Sequence, residues 1–216
     1  MSNPVMMARY AAVQSLLQNR ISSFPITVGE VERAITAQGY SIINYDTNCK
    51  PHIEILEELG VLSLAKRTVA LTYVSKSEKS VFIKCGISAN DKRLLLAHEL
   101  GHIVMGHMSD SIVRTYSPMG LIDEGQEDEA NAFALEFLAP VCVLDKQHIK
   151  DVEKVKQKTL LDDNLAHAVA DEVCKHSLFT SQELELCNRF GCKKRFNIID
   201  RIKSMFKTGF ILSDVK

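Results

Sequence analysis

The stretch from Leu94 to His107, LLLAHELGHIVMGH, holds the residues best suited to chemistry. His98, Glu99 and His102 form an H-E-x-x-H pattern. Residues four apart on a helix stand one above the other, so His98 and His102 can offer two imidazole nitrogens to one metal ion. Glu99 projects from the edge of that face, where it can take a proton from a water at the metal and later give it to a leaving amine. Zinc held by three protein groups lowers the pKa of such a water toward about 7. The flanks support a metal site. Leu94, Leu95, Leu96, Ala97, Leu100, Ile103 and Val104 make the helix apolar and hence buried. Burying two histidines and a glutamate is costly unless they are paired or metal-bound. Gly101 leaves room for another chain or a substrate to come close.

A catalytic zinc usually takes three protein ligands. In H-E-x-x-H-x-x-G-x-x-H, Gly and the third His would fall at 105 and 108, which here are Met105 and Met108. Gly106 and His107 each come one residue early, so His107 reads as a loop residue or an outer partner. No cysteine lies in a suitable downstream helix. That leaves the acidic cluster Glu124, Glu127, Asp128 and Glu129, which opens an otherwise apolar helix ending at Pro140. Acidic residues there also complement the helix dipole. Periodicity alone does not choose between Glu129 and Glu127.

The elements that must position these residues can be read around them. Helical periodicity covers Tyr10 to Asn19. Thr27 with Glu30 forms a capping box for a helix from Val28 to Gln38, ended by Gly39. Ser41 to Tyr45, Thr68 to Val74 and Ser80 to Cys85 read as three strands of a small twisted sheet. A short helix runs from Pro51 to Leu59. Asn90-Asp91 is expected to cap the metal helix. Ser109 to Gly125 reads as a loop, and Gln126 to Leu138 as a strong helix. The charged segment Asp145 to Lys158 reads as one solvated connecting helix. Leu165 to Val173, Ser181 to Arg189 and Phe196 to Phe206 follow as further helices. A soft boundary near residue 145 divides a metal-site domain, 1–144, from a C-terminal helical region, 145–216.

The 216 residues have ordinary globular composition, 46% hydrophobic and 25% charged, with a net charge of -1. That balance argues against strong nonspecific nucleic-acid binding, although Arg189, Lys193, Lys194 and Arg195 form a basic cluster able to meet phosphates. None of the six cysteines forms a C-x-x-C pair, and they read as reduced cytosolic thiols. MSNPVMMARY lacks the pattern of a signal peptide, and no apolar run approaches the about 18 residues of a membrane span. A cytoplasmic protein is the expectation.

KRLLLAHELGHIVMGH and EDEANAFALEFLAP, taken in order, resemble the ImmA/IrrE family of zinc metallopeptidases. KRLLLAHELGHIVMGH is similar to its basic residues, apolar turn, HELGH and further His. EDEANAFALEFLAP is similar to its E-x-E-A-N-x-F-A helix ending in Leu-x-Pro. The Tyr10 helix, Phe24-Pro25-Ile26 and SIINYD also resemble its Gram-positive and phage-type members. LCNRFGCKKRFNIIDRI is similar to its small helical region, with Cys192 and Lys193 where Val and Ser are usual.

The resemblance implies an α+β, mainly helical, thermolysin-like (gluzincin) core, with zinc on His98, His102 and Glu129 and Glu99 as general base. It implies endopeptidase action on a helix-turn-helix repressor, releasing genes of a phage, mobile element or stress response. In thermolysin-like peptidases an edge strand beside the metal binds extended substrate, and Val81 to Lys84 is the candidate here. Tyr116 and His107 are candidates to steady the oxyanion. The main alternative is an antirepressor that holds a repressor without cutting it. Another hydrolase using the same metal site is a further alternative.

Overall fold

A computed structural model of the chain describes residues 3–107, 113–115 and 124–192. Its elements run α1 (Pro4–Gln18), α2 (Val28–Ala37), β1 (Ser41–Tyr45), α3 (Lys50–Glu58), α4 (Leu62–Ala65), β2 (Ala70–Val74), β3 (Lys79–Lys84), α5 (Ala89–Val104), β4 (Val113–Thr115), α6 (Glu124–Leu138), α7 (Val141–Lys146), α8 (Val152–Thr159), α9 (Asp163–Lys175) and α10 (Ser181–Arg189). The fold is α+β and mainly helical, as the sequence implies. Arg195 and the expected Phe196 to Phe206 helix lie outside the described residues, as do Lys193, Lys194 and Tyr116.

The sheet has strand order β1-β3-β2-β4. β1 pairs parallel with β3, and β2 runs antiparallel to both β3 and β4. The three expected strands are present, and β4 joins them from within the segment read as a loop. Val81 to Lys84 is not an edge. It belongs to β3, whose two sides are occupied by β1 and β2. The side chains explain this. Val81 and Ile83 enter the main core while Phe82 enters a second cluster with Tyr45, Leu56 and Leu71. A strand apolar on both faces belongs inside a sheet.

The metal helix lies in the main core. α5 packs between α2 and α6, and α6 also packs along α1. Its N-cap is Ser88, not Asn90-Asp91: the Asp91 backbone N–H donates to Ser88 Oγ. Arg93, 3% exposed, anchors the helix by donating to the carbonyls of Ile26 and Leu160. Burial pushes its pKa down. The Thr27–Glu30 capping box of α2 is present in full. The charged segment forms two helices, α7 and α8. The break comes at His148, whose left-handed φ of 59° stops helical propagation. Arg189 of the expected basic cluster donates to Leu17 O and pairs with Glu185. α9 and α10 contribute Ala166, Val169, Val173 and Leu186 to the same core as α1, α5 and α6.

One buried carboxyl lies on α6 near Arg9. Glu136, 6% exposed, accepts a hydrogen bond from the Val141 backbone N–H at 3.0 Å. Burial pushes its pKa to about 8; the charge of Arg9 opposes this, and Glu183 and Glu172 add to it. The folded chain therefore holds a proton that the unfolded chain has lost between about pH 4.5 and about pH 8. Stability falls as pH rises through that window. Glu136→Gln, which keeps an acceptor for Val141, is expected to flatten this slope. It should stabilise the fold at pH 8 by up to a few kcal/mol. Thermal unfolding from pH 5 to 8 checks this, and parallel slopes for both proteins would contradict it.

Candidate metal centre

Three side chains from two helices converge. His98 and His102 stand one turn apart on α5, with their Nε2 atoms 3.0 Å apart. Glu127, in the first turns of α6, places Oε2 3.3 Å from His98 Nε2 and Oε1 3.0 Å from His102 Nε2. A tetrahedral zinc with bonds of about 2.0–2.1 Å requires donors about 3.3 Å apart. The observed spacings fit one ion bound by all three. Both histidines are 3% exposed.

The surroundings set the imidazole orientation. His98 Nδ1 lies 2.9 Å from Asn131 Oδ1, and His102 Nδ1 lies 3.0 Å from His107 Nδ1. With Nδ1–H donating in each case, each Nε2 turns a lone pair toward the common point. Glu127 and Asn131 are four apart on α6, as His98 and His102 are on α5. Two one-turn pairs thus face each other.

The helices can come this close because of Gly101. A Cβ at that position would lie 3.0 Å from Ala130 Cα and O and 3.2 Å from Phe133 Cβ. The chain that the glycine admits is α6 itself.

The field of the site suits a cation. Burial works against charge on His98, yet its hydrogen bond with Glu127 and the charges of Glu99 and Glu127 raise its pKa. Burial alone would raise the Glu127 carboxyl, but hydrogen bonds from His102 and His98 hold it down to about 2. Surroundings that draw a proton onto imidazole and off carboxylate also favour a metal ion between them.

Glu99 is 1% exposed and faces the sheet. Its Oε2 accepts from the Thr72 hydroxyl at 2.5 Å. Thr72 sits on the face of β2 turned toward α5, with β4 paired beside it at Arg114. Strand alternation puts the Thr72 hydroxyl against the metal helix, away from the second cluster. An apolar cleft of about 410 Å³, lined by Leu94, Leu95, Ala132, Leu135 and Leu165, opens beside His98 and Asn131.

Glu129 does not reach the two histidines' Nε2 atoms in this arrangement. Its Oε2 lies 2.9 Å from His107 Nε2. Among the described residues, the cluster able to hold a metal is His98, His102 and Glu127. Sequence reasoning missed Thr72 and Asn131. Asn131 carried a signal, the one-turn spacing from Glu127. Thr72 carried none, since it depends on strand packing.

A sequence model of the IrrE N-terminal-like domain, Peptidase M78, matches residues 57–169, more than half of the chain. The chain belongs to this peptidase family. No curated protein and no solved structure matches it. The Peptidase M78 match runs from within α3 to within α9 and includes Thr72, His98, Glu99, His102, His107, Glu127, Glu129 and Asn131. The family is metal-dependent, and the cluster on α5 and α6 is a place where this member could hold its ion. Among the described residues, no helix is long and apolar enough to cross a membrane.

Proposed function

We propose that this Peptidase M78 member is a zinc-dependent endopeptidase, with His98, His102 and Glu127 holding the metal and Glu99 acting as general base. The observation that carries the reading is the convergence of the two Nε2 atoms and the Glu127 carboxylate within 3.3 Å of one another. In this reading Glu127 is the third ligand in place of Glu129, which takes an outer place.

Zinc bound there supplies Lewis acidity, acidifying a water toward pKa about 7 and polarising a peptide carbonyl. The chain supplies the rest. Glu99 accepts the proton of the attacking water on the carboxylate that Thr72 holds in place, then returns it to the departing amine. Asn131 holds His98 in the tautomer that presents Nε2. β4 pairs only with β2 among the described residues, so its outer edge is the strand we assign to extended substrate.

We take the substrate to be a helix-turn-helix repressor in the cytoplasm, with release of the repressed genes as the outcome. Incubating the zinc-loaded protein with helix-turn-helix repressors from the same genome, with mass spectrometry of the fragments, tests this. Discrete fragments from wild type and none from Glu99→Gln are expected. An intact repressor whose DNA binding is relieved equally by both proteins would replace cleavage with sequestration.

A further inference from the structure

α5 ends in a way that puts a third imidazole behind the metal cluster. Gly106 takes a φ of 74°, in the left-handed region that favours glycine. The His107 backbone N–H then donates to His102 O at 3.0 Å, and the Gly106 N–H donates to Ile103 O at 3.2 Å. These two bonds are the 6→1 and 5→2 pair of a Schellman turn. The turn folds residue 107 back over the last turn of the helix. The His107 ring meets the His102 ring edge-on, with centroids 5.1 Å apart.

The hydrogen bonds then run in one direction. Metal on His102 Nε2 requires the proton on Nδ1, so His102 Nδ1 donates to His107 Nδ1 at 3.0 Å. His107 Nδ1 is therefore the acceptor and its Nε2 carries the proton. That Nε2 donates to Glu129 Oε2 at 2.9 Å. The His107 side chain is 6% exposed and that of Glu129 is 21% exposed, so the carboxylate sits at the outer end of a mostly dry chain. A carboxylate at that end favours donation toward itself along the whole relay. It makes His107 Nδ1 a better acceptor and His102 a stronger, fixed ligand.

We propose that His107 and Glu129 are positioning residues, an outer brace that sets the orientation of His102 and the affinity of the site for zinc. The inference rests on the zinc-centre reading above. It also gives the early Gly-His of the sequence a physical role. Gly106 closes the helix so that His107 supports a ligand without being one.

The test is the zinc dissociation constant of the full chain, measured by competition with a chromophoric chelator. His107→Phe removes both hydrogen bonds. Glu129→Gln keeps an acceptor but removes the charge. His107→Asn places an oxygen near the position of Nδ1 and so restores the acceptor for His102 alone. His107→Phe and Glu129→Gln are expected to weaken zinc roughly 10- to 100-fold, with His107→Asn recovering part of the loss. Melting of the metal-free protein should be unchanged in Glu129→Gln, which decides the matter if His107→Phe folds poorly. Affinities all within about twofold of wild type would overturn the brace while leaving the zinc centre intact. Wild type that binds no zinc would overturn the zinc-centre reading, and the brace with it.

Discussion

Glu99→Gln is expected to lower peptide hydrolysis roughly 10²- to 10⁴-fold, the usual contribution of a positioned general base. Bound zinc should stay stoichiometric. The two effects separate because Glu99 is not among the three proposed ligands, and the Thr72 hydroxyl of β2 holds its Oε2. A glutamine there can still accept from Thr72 through its carbonyl oxygen. The helix and both histidines keep their places, and only the proton-accepting carboxylate is lost. Turnover by a fluorogenic peptide or by repressor cleavage, read beside zinc content, checks the prediction. Unchanged turnover would remove Glu99 from the mechanism. Loss of zinc would show that Glu99 helps to build the centre.

The other large effect is structural. Gly101→Ala would gain about 1 kcal/mol of helix propensity. Against this, the added methyl meets Ala130 Cα and O at 3.0 Å, and α6 backbone cannot rotate aside as a side chain can. Overpacking of this kind costs about 1–3 kcal/mol, so the loss roughly matches or exceeds the gain. Gly101→Val adds two more methyl groups to the same contact and gains less propensity than alanine does. It is expected to destabilise the fold by about 3 kcal/mol or more. Because α6 carries Glu127 and Asn131, any displacement that relieves the clash also pulls these residues from the histidines. Both variants should therefore bind zinc more weakly than wild type, valine the more so. Denaturant unfolding together with zinc titration measures both losses. A valine variant with wild-type stability and zinc affinity would contradict the close helix approach.

Much of this arrangement is legible in the sequence because it is local. The H-E-x-x-H spacing fixes His98 and His102 on one helical face, and Thr27-x-x-Glu30 specifies a complete capping box. Ser41 to Tyr45 and Ser181 to Arg189 have the bounds that their composition implies. The less legible features depend on partners distant in sequence. Choosing Glu127 over Glu129 requires knowing which face of α6 meets α5. Ala130 and Phe133 both meet Gly101, so that contact falls between the two glutamates on the helix and does not choose for them. The clue for Glu127 is Asn131 four residues on, one turn away on the same face. Glu129 shares a helical face with Phe133 and Phe137, and its place just before Ala130-Asn131 is what favours it by resemblance. Glycine or proline follows α2, α3, α5, α6 and α10, but His148 breaks the charged segment without either. The apolar run of β3 signals burial on both faces, which an edge strand does not need. Thr72 is an ordinary strand residue until the sheet is laid on α5.

The most direct test of the zinc centre is the metal content of wild type, Glu127→Ala and Glu129→Ala, purified alike and measured at saturating zinc. Near-stoichiometric zinc in wild type, its loss in Glu127→Ala and its retention in Glu129→Ala are the expected results. Zinc kept by Glu127→Ala and lost by Glu129→Ala would contradict the assignment, and would make Glu129 the third ligand.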